Sequence, residues 1–230
     1  MTQEQKRELE HELGANMKIL CKGFDTSQIP VKQTIHHPIR IIYAGGIYLN
    51  RWKVLASVVN AIKKINETGE KIRLDVYTGN ELNAKQKKAL LVEGASYVHS
   101  AVPFSELMEI YNSSDLALHV ESFDLKNRLS TRLSFSTKIV DCLSSGCAVM
   151  AIAWKEQAGF KYLRDNDAAI CIDDKREIEK KLLEICNYPE ILIEYQKKAR
   201  DCCTKYHEKR TNGKRLRLDF ERIINEGYSN

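Results

Sequence analysis

Six short apolar runs punctuate the chain, at residues 39–44, 72–77, 95–99, 115–120, 147–153 and 168–172. The stretches between them mostly carry helical periodicity over ten or more residues. Parallel strands need a long crossover, usually a helix, whereas antiparallel hairpins close with a tight turn. The alternation therefore predicts right-handed βαβ units and a parallel sheet. The expected fold class is α/β, a Rossmann-like doubly wound parallel sheet of about six strands flanked by helices.

Helices are read at 3–13, 83–93, 103–112 and 174–187, with 156–163 as a connecting segment and charged helices from 189 onward. Another follows Gly46, with Trp52, Leu55, Val58, Val59 and Ile62 on one face and Lys63, Lys64 and Glu67 outside. Residues 121–135 read as an irregular polar loop, and 17–21 as a short apolar run. A length of 230 residues suits one α/β domain with tails, or one domain and part of another. With 43% hydrophobic and 29% charged residues the chain can bury a full core.

Thirty-six basic residues against 31 acidic ones leave a net charge of +5, with no block of one sign. That balance speaks against nucleic acid as a partner. Seven cysteines, an odd number without zinc-ribbon spacing, suit a reduced, cytoplasmic protein. The first 14 residues are charged, unlike a signal peptide, and no run is long enough to span a bilayer.

The stretch 134–150 is the most informative locally. Small hydroxyl residues and Lys138 precede an amphipathic segment, a glycine and an apolar run, which reads as loop, helix, turn and buried strand. Ser134 or Ser136 can cap the helix, whose free N–H groups favour an anion such as phosphate. Gly146 can close it in the left-handed conformation. Asp141 lies five residues past Ser136, about 7.5 Å along a helix axis, so a phosphate and a sugar hydroxyl could belong to one ligand. An ordinary helix with a solvated Asp explains the same residues equally well.

In a doubly wound sheet ligands bind beyond the carboxyl ends of the strands. The segments expected there hold Gly45, Gly46, Arg51, Lys53, Thr78, Gly79, Glu121, Arg128, Arg132, Ser136, Thr137 and Lys138, a rim suited to a nucleotide diphosphate. Neither a GxGxxG fingerprint nor a GxxxxGK[ST] loop is present, which argues against NAD and ATP hydrolysis.

Gly45-Gly46-Ile-Tyr-Leu-Asn-Arg51, Asp75-Val-Tyr-Thr-Gly79, the passage 101–118 and Ser136-Thr-Lys-Ile-Val-Asp-Cys-Leu-Ser-Ser-Gly-Cys-Ala-Val149 occur in that order. Together they resemble the C-terminal, nucleotide-sugar-binding half of GT-B glycosyltransferases, in particular the group 1 (family 4-like) retaining enzymes. The last passage is similar to the family signature (P/S)-x-K-x-x-E/D-x-x-x-x-G-x-P-V. The resemblance implies a glycosyltransferase donor domain that moves a sugar from a nucleotide-diphosphate donor, a UDP- or GDP-sugar, to an acceptor with retention, in polysaccharide or glycoconjugate synthesis. It implies no metal and no cofactor.

Carried over residue by residue, the resemblance makes Asp141 the carboxylate that holds the donor ribose. Arg51 becomes the cation that neutralises the diphosphate, with Glu121 as its catalytic companion. Gly45, Gly46, Lys53, Thr78, Gly79, Val102, Ser134, Ser136, Thr137 and Lys138 become donor-binding, with the base beside Val102. Three departures stand out. Gly46 replaces the family Arg, and Leu133 falls where the first carboxylate of the E-x7-E pair belongs, with Glu121 or Asp124 as substitutes. The third is the acceptor-binding N-terminal domain, whose last helix and strand, with the linker, are all that residues 1–38 resemble, Lys22-Gly-Phe-Asp25 standing for the usual Asn-Gly-Val-Asp. The expected organisation is then 1–38 remnant and linker, 39–188 Rossmann-like donor domain, and 189–230 charged C-terminal helices. Expected partners are a nucleotide sugar, the missing acceptor domain and a peripheral contact with the inner face of a membrane through the basic C-terminal stretch.

The Gly46 and Leu133 departures also suit a different class, a non-catalytic nucleotide-sensing or scaffolding Rossmann-like module. A receiver or flavodoxin-like domain fits less well, because no acidic pair follows the first strand. His36 and His37 would point to opposite faces of an extended segment, which disfavours a shared metal. His99, His119, Trp52 and Trp154 read as structural first.

Overall fold

The computed structural model describes residues 3–14 and 17–227. α1 (Gln3–Leu13) is followed by an irregular segment with one 3-10 turn, Thr26–Gln28. β1 (Ile39–Ala44), α2 (Arg51–Ile65), β2 (Ile72–Thr78), α3 (Ala84–Leu90), β3 (Ser96–Ser100) and α4 (Phe104–Asn112) then alternate. β4 (Leu116–Val120), α5 (Leu125–Thr131), α6 (Lys138–Leu143), β5 (Ala148–Ile152), α7 (Ala158–Asp165) and β6 (Ile170–Ile172) continue the pattern. α8 (Ile178–Asn187), α9 (Glu190–His207) and α10 (Lys209–Gly227) complete the described residues.

The six strands form one parallel sheet in the order β3-β2-β1-β4-β5-β6. The chain builds outward from β1 to β3, returns to β4 beside β1, and builds outward the other way. Strand residues alternate between two cores. Ile41, Leu116, Leu118 and Met150 face α2 and α8, where Leu55, Val58, Ile62 and Leu182 are buried. Ile42, Ala117, Val149, Ala151 and Ala153 face the other way, toward Ile139, Leu143, Phe160 and Leu163. The alanines on that second face let helices approach closely, and α9 lies against β5 and α6 with Ala199, Cys202 and Cys203 buried.

Several expected boundaries shift for local reasons. The helix expected at 83–93 ends at Leu90, because Leu91 is extended and Val92 bridges to Ser96. The one expected at 174–187 opens with a 3-10 turn, Lys175–Glu177, capped by the Asp174 side chain, before α8. Residues 121–135 are not an irregular loop throughout, since they contain α5. Its two leucines, Leu125 and Leu129, share a face that points to solvent, so no core-facing stripe announced it. The run 17–21 forms no strand; it lies beside α10, with Lys18 paired to Asp219.

Gly146 takes the expected left-handed conformation, φ +74°, but two residues beyond Ser144, which caps the end of α6. A Cβ at this position would stand 2.8 Å from the Pro30 carbonyl oxygen, so the residue also lets the N-terminal segment lie close. Gly146→Ala is expected to lower unfolding free energy by about 1–3 kcal/mol, read as a lower urea midpoint at an unchanged slope.

Candidate functional site

The strand order reverses between β1 and β4, and a cleft opens on the β1 side of that reversal, among the loops leaving the carboxyl ends of the strands. It measures about 190 Å³ and lies beyond β1, β2 and β3. Gly45, Gly46, Thr78, Gly79, Val102 and Lys138, six of the residues predicted for donor binding, line it, with Tyr77 and Leu107 as further walls. Hydrogen bonds fix these loops to one another. Tyr43 Oη donates to the Gly46 carbonyl at 2.7 Å, and Ile47 N donates to Asn80 Oδ1 at 2.9 Å. Burial raises the Tyr43 hydroxyl pKa well above its ordinary value, so Tyr43 is a donor here and not a base.

The two glycines are needed for close approach. A Cβ on Gly45 would stand 3.2 Å from Lys138 Cε, so the lysine stem lies directly across the glycine. A Cβ on Gly46 would fall 2.1 Å from the Tyr48 ring. Tyr48 thus occupies the space that a side chain at position 46 would need, which couples the Gly46 departure to its neighbour.

Arg51 and Glu121 meet each other. Arg51 Nη2 and Nε donate to the two Glu121 oxygens at 2.8 and 3.0 Å, and the guanidinium stacks 4.9 Å from the Tyr48 ring centroid. The side chains are only 14% and 3% exposed. Burial works against the Arg51 charge, but the Glu121 carboxylate more than offsets it and holds the guanidinium pKa above its usual value. The pair ties the first turn of α2 to the end of β4, across the strand reversal.

Other predicted cations are also committed. Lys53 Nζ pairs with Asp124 at 2.8 Å, and Asn50 Nδ2 donates to the same carboxylate at 2.6 Å. The Lys53 hydrogen bond is the main reason that the Asp124 carboxyl sits below its ordinary range. Arg132 pairs with Glu4 and Glu8 of α1 at 2.9 and 3.0 Å. Arg128 stacks on Trp154 at 4.8 Å. Lys138 differs: it lines the cleft and forms no ion pair with a carboxylate among the described residues.

The helix at this site departs from expectation. α6 has six residues, its N-cap is Thr137, and neither Ser134 nor Ser136 caps it through a side chain. Ser134 instead presents its carbonyl to Gln157 Nε2 at 2.7 Å, and Ile139 N is taken by the Ser136 carbonyl at 3.1 Å. So short a helix has a weak macrodipole, and any anion here depends on the Lys138 side chain. Asp141 accepts from Lys22 Nζ, a residue of the N-terminal segment.

His119 is buried in β4 with its pKa lowered by burial, and its Nε2 has no hydrogen-bond partner among the described residues. It does not line the cleft. His36 Nδ1 lies 2.9 Å from Asp115 Oδ1, and no group of three or more potential metal ligands occurs among the described residues. The seven cysteines are unpaired, and burial pushes the Cys142 thiol up to about 12. Sequence reading missed Tyr48, Asn80 and Leu107, whose roles arise from tertiary contact.

Comparison with known proteins bears on the family and the fold. The sequence profile of a family described as glycosyl transferase-like matches residues 59–217. Compared with curated protein sequences, the chain has no match. Among solved structures it is similar to WaaG, a glycosyltransferase involved in lipopolysaccharide biosynthesis, at 15% identity and a TM-score of 0.59, over 89% of this chain and 57% of that one. It is similar to S. aureus TarM, solved with fondaparinux, alpha-GlcNAc-glycerol and UDP, at 13% identity and a TM-score of 0.70, over 94% and 42%. Sucrose-phosphate synthase from Thermosynechococcus elongatus matches at 12% identity and a TM-score of 0.67, over 98% and 58%. At such identities the likeness concerns the fold, and the chain spans about half the length of these structures.

Glu121→Gln should leave the Arg51 guanidinium buried without its counter-charge and cost about 3–5 kcal/mol of stability. The paired replacement Arg51→Met with Glu121→Leu should recover most of it; urea unfolding of the three variants checks both.

Proposed function

The chain belongs to the glycosyl transferase-like family, and from that premise we propose that it is the donor-binding half of a glycosyltransferase whose acceptor-binding half lies in another domain or chain. The observation that carries this reading is Lys138, a cation without a carboxylate partner among the described residues, laid across Gly45 at the strand reversal. The ligand is a nucleoside diphosphate sugar, with UDP and GDP as the leading carriers. Its diphosphate crosses Gly45 and Gly46 against Lys138, its base rests by Val102 and Leu107, and its ribose reaches Asp141.

When the glycosidic bond breaks, negative charge develops on the departing diphosphate. Lys138 stabilises that charge without a metal, in a site whose dipoles are already in place. Arg51 and Glu121 brace the site; their charges satisfy each other before any ligand arrives. Transfer with retention, in the assembly of a polysaccharide or glycoconjugate, completes the reading. The bound UDP named for TarM supports the carrier class. The non-catalytic alternative is favoured by one observation, the commitment of Glu121 to Arg51, which leaves no free carboxylate at the place of Leu133. Slow hydrolysis of a bound UDP-sugar by the unsubstituted chain would argue for the enzyme.

Calorimetric titration with UDP and GDP tests the reading. Saturable binding of one of them is expected, weakened about tenfold or more in Lys138→Ala. Equal binding by both proteins would remove Lys138 from the site.

For the membrane contact, the surface proposed is α10. Leu216, Phe220, Ile223 and Ile224 recur at helical spacing, flanked by Arg210, Lys214, Arg215 and Arg217; Phe220, Ile223 and Ile224 are exposed, and Leu216, Phe220 and Ile223 also line the cavity shared with residues 18–21. A basic amphipathic helix of this kind lies in an anionic lipid surface. No helix of the described residues is long and apolar enough to cross a membrane. Co-sedimentation with vesicles containing phosphatidylglycerol, absent with pure phosphatidylcholine and abolished by Phe220→Asp with Ile223→Asp, is the expected result.

A further inference from the structure

Lys22 lies 119 residues before Asp141 in the chain, yet its Nζ donates to Asp141 Oδ1. The same ammonium stands 5.7 Å from the centroid of the Phe104 ring, at the start of α4. It therefore hangs between α6 and α4, the helices that contribute Lys138 and Leu107 to the cleft.

The backbone that carries it is held firmly. Phe24 N donates to the His207 carbonyl at 2.7 Å, and Lys209 N donates to the Phe24 carbonyl at 2.9 Å. Gly23 permits this approach, since a Cβ there would stand 2.9 Å from Lys209 Cα. The Lys22 carbonyl lies 3.1 Å from His207 Nδ1, and Tyr162 Oη lies 2.8 Å from His207 Nε2. A carbonyl only accepts, so Nδ1 carries the proton and Nε2 accepts from the tyrosine. Burial lowers the His207 pKa, consistent with this neutral form. Lys22 is thus seated by the junction of α9 and α10 rather than carried on a loose arm.

We propose that Lys22 is a ribose-reading residue: with Asp141 it presents an ammonium and a carboxylate side by side to the vicinal diol of the nucleotide. This rests on the donor-site reading above and adds a residue from outside the sheet to it. Each hydroxyl of a diol is both donor and acceptor. Asp141 can only accept and Lys22 can only donate, so the pair matches two adjacent hydroxyls better than either group alone. Lys22 holds Asp141 Oδ1, and Oδ2 has no hydrogen-bond partner among the described residues; the pair stands beside the cleft, outside its lining. The recognised feature is the ribose, and a nucleotide without it loses both contacts.

The test compares calorimetric affinities of UDP and GDP with those of their 2′,3′-dideoxy forms, in the unsubstituted protein, Lys22→Met, Lys22→Arg and Asp141→Asn. Methionine keeps the length of the stem and removes the ammonium. Lys22→Met is expected to weaken the ribonucleotide about tenfold while leaving the dideoxynucleotide nearly unchanged. Lys22→Arg should restore part of the preference. A general structural defect would weaken both nucleotides together and overturn the assignment. So would Lys22→Met binding the ribonucleotide equally or more tightly, which would make Lys22 a counter-ion that the ligand displaces. If the unsubstituted protein binds no nucleotide while melting cooperatively, the donor-site reading itself fails, and this assignment falls with it.

Discussion

In a doubly wound parallel sheet the order of strands reverses once, and at the reversal the loops leaving two neighbouring strands turn away from each other. Here that happens between β1 and β4. The Arg51–Glu121 pair spans that reversal, joining α2 to the end of β4 in a nearly dry setting. Both charges are satisfied there with two hydrogen bonds, so the pair is a brace whose cost falls due only when one partner is removed. Tyr48 stacks on the guanidinium, and Gly46 is bare because Tyr48 stands where its side chain would be.

From that brace follows the division of charge around the cleft. Arg51, Lys53 and Arg132 are committed to carboxylates, and Arg128 lies on an indole. Lys138, which lines the cleft, is left to meet an anion. The chain is nearly balanced in charge overall, so the attraction for a diphosphate is local and comes from geometry. The N-terminal segment takes part in the same economy, with α1 covering Arg132 and Lys22 reaching Asp141.

Much of this was legible in the sequence. Buried strands between helical stretches specify a parallel sheet through crossover length alone, and the six apolar runs all became strands. Gly146 took the left-handed conformation read from its sequence, though two residues past the cap of α6. What escaped has physical causes. α5 turns Leu125 and Leu129 outward, so its period does not point to a core. A short α6 without a side-chain cap looks in sequence like a longer capped one, because serines at 134 and 136 have the right chemistry and the wrong geometry. The partners of Arg51, Lys53 and Asp141 lie 70, 71 and 119 residues away, beyond the reach of local pattern.

The central claim is that a nucleoside diphosphate occupies the cleft beyond β1, β2 and β3. Backbone amide shifts recorded by NMR during titration with UDP, and separately with GDP, locate the ligand without assuming any residue's role. The account predicts the largest changes at Gly45, Gly46, Thr78, Gly79, Val102 and Lys138. Changes confined to residues 18–21 and the facing side of α10, where a second cavity of about 340 Å³ lies, or no changes with either nucleotide, would contradict it.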